Sequence, residues 1–398
     1  MEIIQSCQEE NTICENSQKI YRENSPEKNY FNKVNIKPWG KEYLAYQNNK
    51  IGIWILHINK DAETSLHCHF KKDSILIPLQ GCFKINLFNN YRILHALDSL
   101  YVPRNIFHGI HAYSDDAILL EIELYTEKIN YTDKNDLLRL KDIYIRDNDK
   151  YETSITERIA EDNEIMNLHE DSKFTFKDTK LNIITIEHST NLENIDKAIL
   201  LEGSMFINGV NISAGSLVDL TSQYSLLTPN VKLLCFHNLN YTYLQKIIYS
   251  KTHLRDYLNI TKTANIGLTS GCFDILHTGH LKNLKQSKKL CNKLFVCLSS
   301  DNQIKRLKGM KRPINNLNDR INMLIHFEFI DNLILYEEID DNTEKELDTI
   351  MSIVNPNIWF KGTDYKIEEI LQKHPILKKI KLIELEDGKS TTNIANKI

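Results

Sequence analysis

The chain has no excess of basic charge: 49 Lys and Arg stand against 53 Asp and Glu, a formal net charge of −4. A nucleic-acid or anionic-membrane partner, which calls for a basic domain, is therefore not expected. No apolar run comes near the roughly 18 residues needed to span a bilayer. The opening MEIIQSCQEENTICENSQK lacks a basic stretch followed by an apolar one, so no secretion signal is expected. Eight cysteines, at 7, 14, 68, 82, 235, 272, 291 and 297, include no Cys-x-x-Cys pair and no zinc-type spacing. They read as reduced thiols, and the chain as cytoplasmic. These absences exclude secreted, membrane-embedded and disulfide-scaffold classes. What remains is ordinary globular composition, 41% apolar and 26% charged, over 398 residues. At about 150 residues per domain that means two or three domains.

Residues 1–35 are polar with little periodicity and read as a loose tail. From 36 to 130 the texture is that of short strands: IGIWILHI, SILIPL, CFKINLF, SLYVP and AILLEIEL, broken by Asn, Gly and Asp. Such spacing means a sandwich or small barrel. Residues 131–245 read as a charged connector with some helix, then a second barrel of the same texture, with Asn208-Gly209 as a hairpin turn. A polar connector over 240–263 follows. From 264 to 398 strands alternate with helices of 10–15 residues, which implies βαβ units and a parallel sheet.

The most specific segment is GCFDILHTGHLKNL, residues 271–284, placed where the first parallel strand gives way to a helix. Open α/β sheets bind ligands there. His277 and His280, three apart at a helix start, can face one point beside its positive end. Gly279 between them lets a phosphate approach the backbone. A bare His-x-x-His is more often surface decoration; the whole string is far more restrictive. Lys305, Arg306, Lys308, Lys311 and Arg312 are expected in a Gly-containing loop after the second strand. A cluster of this kind is usually a solvated face, but beside a phosphate-binding helix it neutralises a triphosphate and its leaving pyrophosphate. Gly388 and Ser390-Thr391-Thr392 precede a last short helix, where hydroxyls and free N–H groups face an anion or merely cap the helix.

The segment resembles the cytidylyltransferase-like nucleotidyltransferases, and within them the ADP-heptose synthase adenylyltransferase domain and the glycerol-3-phosphate cytidylyltransferase type. KRLKGMKRPIN, the NDR ending at Arg320, WFKGTDY and EDGKSTTNI match in order, so the resemblance spans about 266–398. It implies His277, His280 and Lys308 as catalytic residues. It implies nucleotide contacts from Gly271, Phe273, Asp274, Gly279, Lys305, Arg312, Arg320, Gly362, Asp364, Ser390, Thr391 and Thr392. Asp364 would lie near the nucleoside or acceptor, and Tyr365 would pack. Mg²⁺ is expected to arrive with the nucleoside triphosphate. Leu385 stands where the glycerol type has an arginine, which favours ATP over CTP.

In the barrel half, KPWGKEY, SLHCHFKKDSILIPLQGCFKI and YVPRNIFHGI resemble a cupin of the mannose-6-phosphate isomerase type. The resemblance puts His67, His69 and His108 where cupins hold a divalent transition metal. Ser74 occupies the position of the usual glutamate ligand, with Asp73 adjacent, which counts against isomerase chemistry. Histidines lining a metal-free pocket are the plainer alternative. The second barrel has only His188 and His237, in no His-x-His, and reads as a degenerate cupin for packing or dimerisation.

The expected molecule is multidomain: all-β cupin barrels followed by a Rossmann-like α/β nucleotidyltransferase domain with a parallel sheet. Its expected activity is nucleotidyl transfer from an NTP to a sugar- or polyol-phosphate with release of pyrophosphate, for surface glycan precursors, in a homodimer. Two alternatives stay open: a bifunctional cupin isomerase–transferase, and a sugar-sensing module that keeps the transferase fold as scaffold.

Overall fold

A computed structural model describes residues 2–17, 26–126, 129–144, 156–162, 164–168, 173–176, 179–186, 195, 197–220, 224–238, 244–262, 265–336, 343–363, 366–373 and 379–384. Two compact units divide the chain, Met1–Tyr241 and Thr242–Ile398.

The first unit is all-β apart from one helix among its described residues. An eight-stranded sheet is built around Lys72–Gln80, Ala117–Tyr125, Ile51–Ile58 and Gly40–Gln47, and a five-stranded sheet faces it with Leu66–Cys68, His108–Ala112 and Cys82–Leu87. The run IGIWILHI is apolar without a break because its sheet is covered on both sides. Trp54, Leu56 and Ile58 point into the barrel with Phe83, Ile85 and Ile110. Ile51, Ile53 and Ile55 point the other way, onto Leu181, Ile183, Ile199 and Leu234 of the second β-region. Alternation of side chains along a strand produces this split. The second region pairs a five-stranded sheet, with Thr179–Ile186, Val231–Asn238 and Lys197–Glu202 at its centre, with a three-stranded one. Asn208 and Gly209 both take positive φ, 49° and 83°, and close the hairpin at the Ile207–Val210 pair.

Two expectations for this unit are corrected. Much of the N-terminal stretch is docked: Glu2–Ile3 pairs in parallel with Leu100 and Tyr101, and the helix Gln8–Ser17 buries Glu10 and Cys14. A polar sequence concealed this because the helix is held by a few side chains instead of an apolar stripe. The connector after 131 shows no helix among its described residues; Leu138–Lys141 and Thr156–Ile159 join the two sheets of the first barrel as edge strands.

The second unit is a six-stranded, wholly parallel sheet in the order Ile247–Ile248, Asn332–Tyr336, Lys293–Ser299, Ile266–Gly271, Ile358–Gly362, Ile380–Ile383. Its start is earlier than expected. Residues 240–263, read as a connector, supply the edge strand and the helix Lys251–Thr261, whose N-cap Ser250 accepts from the His253 N–H at 3.1 Å. Ile248 and Leu254 are buried against Phe295, Ile350 and Met351. The strand order reverses on either side of Ile266–Gly271, which creates a crevice at the carboxyl ends of that strand and Ile358–Gly362.

Candidate functional site

The crevice of the parallel sheet is built from the turn after Gly271. Phe273 takes φ 47°, and its ring lies where a Cβ on Gly271 would meet it at 2.9 Å, so only glycine fits under the ring. The ring packs on His280 at 5.2 Å between centroids. His277 is the N-cap of the helix Thr278–Lys288, with extended backbone and no side-chain cap bond. One turn on, the His280 ring stacks on it, centroids 3.9 Å apart and planes 27° off parallel. Gly279 is buried in the same turn. The pair therefore sits at the positive end of a helix whose first N–H groups face outward. Burial, then the neighbouring His277 and the Lys308 charge, push the His280 imidazole down to about 4, so it is neutral at pH 7. Its buried Nδ1 has no hydrogen-bond partner among the described residues.

Arg312 comes to this turn through Asp274. The fully buried Asp274 carboxylate pairs with the Arg312 guanidinium and accepts from the Ile314 and Asn315 N–H groups at 2.8 and 2.9 Å. Asp274 thus fixes the loop and does not reach outward. Arg320 is likewise absorbed by the protein. It is fully buried and donates to the carbonyls of Cys272 (2.8 Å), Ser299 (2.7 Å) and Asn315 (3.1 Å), and to the Asp301 carboxylate at 2.6 Å. With four of its five N–H donors so engaged, this buried guanidinium ties the segments at Cys272, Ser299–Asp301 and Asn315 together beneath the crevice. Lys305, Arg306 and Lys308 lie in the helix Asp301–Lys308 and not in a loop; only Lys311 and Arg312 follow its end at Gly309. Gly362 ends its strand at the crevice. Lys361 beside it belongs to the same WFKGTDY block but has no role assigned from the sequence: its ammonium donates to Ser270 Oγ at 3.0 Å and lies 4.6 Å from the Trp359 ring. Its strand-end position in WFKG was the available signal. Asp364, Tyr365, Leu385, Gly388, Ser390, Thr391 and Thr392 lie outside the described residues.

The barrel holds a second cluster. His67 and His108 face each other across antiparallel strands, and His69 completes a triangle with ring centroids 4.7–5.5 Å apart. One ligand atom from each falls within 4.8 Å of the others. Every Nδ1 meets a backbone carbonyl: Ser65 O at 2.8 Å, Asp136 O at 2.5 Å and Ile106 O at 3.1 Å, for His67, His69 and His108. A carbonyl only accepts, so each Nδ1 carries the proton and each Nε2 keeps its lone pair. Burial holds all three imidazoles below their ordinary pKa, hence neutral. Three neutral, tautomer-locked imidazoles are what a divalent transition metal requires, and the donor set fits one.

The carboxylate that sequence comparison found missing enters from another strand. Ser74 is buried and donates to Glu121 Oε1 at 3.0 Å, and Glu121 lines the cavity with the histidines. Asp73 turns away and accepts from the Tyr101 hydroxyl (2.7 Å) and the Arg104 N–H (2.8 Å). The signal was present: in AILLEIEL the two glutamates share the barrel-facing register of Leu119. Glu123 forms a buried ion pair with Lys72, takes the Thr132 hydroxyl at 2.6 Å, and lies 3.8 Å from Lys134. Burial alone would raise the Glu123 carboxyl, yet Lys72 and Lys134 hold it below its ordinary value. Lys37 and Lys134 flank Glu42 at 3.6 and 3.5 Å, and Arg139 joins the lining. Four cations and two carboxylates, Glu42 and Glu121, thus line the cavity with the histidine triangle, and Glu123 backs Lys72 and Lys134.

The molecule therefore carries a two-sheeted β-barrel and a wholly parallel α/β fold, with a histidine cluster in each. Residues 268–397 match the family model described as cytidylyltransferase-like, and residues 23–142 that of the mannose-6-phosphate isomerase C-terminal domain. The C-terminal domain is a cytidylyltransferase-like domain and the N-terminal one a cupin of that type. Curated relatives named Bifunctional protein HldE include that of Campylobacter fetus, 41% identical over 33% of this chain and 27% of its own length. The one from Marinomonas sp. is 34% identical over 50% of this chain and 42% of its own. The chain thus spans well under half the length of the curated relatives it matches. Among solved structures, a lipopolysaccharide core biosynthesis protein from Thermoplasma volcanium is 28% identical over 31% of this chain and 98% of its own, with TM-score 0.26. An RmlC-like cupin from Shewanella frigidimarina is 21% identical over 26% and 95%, with TM-score 0.22. No described helix is long and apolar enough to cross a membrane.

Proposed function

We propose that the C-terminal domain transfers a nucleotidyl group, from ATP in preference to CTP, to a sugar- or polyol-phosphate, with pyrophosphate as leaving group. The observation that carries this is the stacked His277–His280 pair at an uncapped helix start in the crevice where the strand order reverses. The acceptor phosphate oxygen attacks the α-phosphorus. The His277 and His280 imidazoles donate N–H bonds to the equatorial oxygens, where negative charge grows, and the helix N–H groups add to that field. Lys308 and Arg312, with Lys305 and Lys361 nearby, neutralise the departing pyrophosphate. Mg²⁺ brought by the triphosphate would supply further neutralisation of its negative charge. Asp274 and Arg320 act as positioning residues that hold the basic loop and the strand ends. A screen of pyrophosphate release, with four NTPs against heptose, hexose, glycerol and ribitol phosphates, tests the reading. No release with any pair would overturn it.

For the cupin, His67, His69 and His108 hold a divalent transition metal, and Lys72, Lys134 and Arg139 favour an anionic ligand beside it, such as the same sugar phosphate or its product. Elemental analysis of the purified protein should find transition metal below one equivalent, lost in a His67→Ala/His69→Ala variant that keeps transferase activity. A metal-free native chain would remove this part of the reading.

A further inference from the structure

Cys68 stands between His67 and His69, and strand alternation turns its thiol away from the imidazoles to the outer side of the sheet. There it is fully buried under the helix Gln8–Ser17, whose Cys14 places its Sγ 3.7 Å from Cys68 Sγ. Both are free thiols. Phe70 and Phe107 close the apolar cluster around the two sulfurs. The Cys14 thiol also donates to the Asn105 carbonyl at 3.3 Å. The helix is kept in place by the buried Glu10 carboxylate, which accepts from the Phe107 N–H at 2.5 Å and the Cys7 N–H at 3.4 Å.

We propose that Cys14 and Cys68 are a reversible dithiol–disulfide pair, whose oxidation by a peroxide ties the N-terminal helix to the histidine-bearing strand and weakens divalent-metal binding by His67, His69 and His108. Cys14 sulfur attacks one peroxide oxygen; the O–O bond breaks, giving a sulfenic acid and one water. Cys68 sulfur then attacks the sulfenic sulfur; the S–S bond forms, and the hydroxyl leaves with the Cys68 proton as a second water. Two thiols lose two electrons and two protons, and one hydrogen peroxide becomes two waters. A disulfide holds its sulfurs about 2.0 Å apart, so the present separation must shorten by about 1.7 Å. Cys68 sits on a three-residue strand with a metal-facing imidazole on either side. Movement of its backbone is therefore passed to both rings, whereas metal–nitrogen distances tolerate only about 0.2 Å.

The thiol pair stands on its own geometry; the effect on metal rests on the proposed histidine site, and two separate readouts keep them apart. Full-length protein is treated with hydrogen peroxide, freed of it, and compared with reduced protein. Non-reducing peptide mapping should find Cys14 linked to Cys68, reversibly with dithiothreitol, and no such link in Cys14→Ser. Cobalt(II) titration should show affinity falling by roughly tenfold or more on oxidation of the native chain. Cys14→Ser, or Cys14→Ala where a hydroxyl disturbs the apolar cluster, should bind cobalt alike before and after peroxide. Unlinked Cys14 and Cys68 after treatment would overturn the pair. A mapped link with unchanged cobalt affinity would overturn the coupling. Cobalt bound in neither state would fail the metal site and the coupling with it, while the mapped link decides the thiol pair separately.

Discussion

His280 is the residue on which the transferase reading turns. If its N–H stabilises charge growing on the α-phosphate, His280→Ala lowers kcat by on the order of 10²–10³. The check is steady-state pyrophosphate release, with circular dichroism to show an intact fold; full activity would remove the assignment. The same side chain makes a pH prediction. Its folded pKa is pushed down to about 4, against an ordinary 6.5, by burial, His277 and Lys308. Between those values the unfolded chain takes up a proton that the folded one does not. Stability is therefore present above about pH 6.5 and falls as pH drops toward 4. His57, also pushed down to about 4 by burial, contributes a parallel slope from the barrel. Melting temperature measured from pH 7.5 to 4.5 should decline less steeply in His280→Gln than in the native chain; equal slopes would contradict the shift.

At the scale of elements, the strand Ala117–Tyr125 carries the largest electrostatic stake. Glu123 pairs with buried Lys72 and stands beside a second buried lysine, Lys134, in the barrel interior. Glu123→Gln leaves both without that charge and should cost about 3–5 kcal/mol in urea unfolding, since removing one partner strands the other in a dry site. A loss under 1 kcal/mol would show that water reaches the pair. The same strand shows what was legible in the sequence. Alternation in AILLEIEL and IGIWILHI is plain, and the β-texture, the parallel sheet and the motif around His277 and His280 follow from periodicity and turn residues. Which face of a strand meets the cavity depends on strands far away in sequence, so Glu121 escaped notice while Ser74, at the expected position, drew it. Arg320 escaped for the opposite reason: a motif arginine looks like a phosphate ligand until its partners Cys272, Ser299, Asn315 and Asp301 are seen around it. The docked helix Gln8–Ser17 was invisible because its anchors are single side chains, Glu10 and Cys14.

At the scale of the molecule, the α/β unit begins earlier than its motifs suggest. A fragment from Thr242 keeps the edge strand and the helix Lys251–Thr261, and should fold and transfer nucleotide by itself. One beginning at residue 264 loses Ile248 and Leu254 from the core and the Tyr257 edge-on contact with Phe295, 6.3 Å between centroids. At roughly 1.5–3 kcal/mol for each buried aliphatic side chain, the shorter fragment should melt well below the longer one. Equal melting temperatures would show the added segment to be dispensable. The β unit cannot be trimmed in the same way, because its eight-stranded sheet has an inside on both faces. A piece ending near residue 142, the limit of the cupin match, would hold the complete histidine triangle and yet bare Ile51, Ile53, Ile55, Ile75 and Ile77 as one greasy stripe. Such a patch drives self-association, so that piece should precipitate or scatter light as large particles where the whole unit stays monodisperse. A clear, monomeric solution of it would refute this. On this account the second β-region acts as a cover over that apolar stripe, a role that asks for matching apolar side chains and for no ligand-binding residues at all.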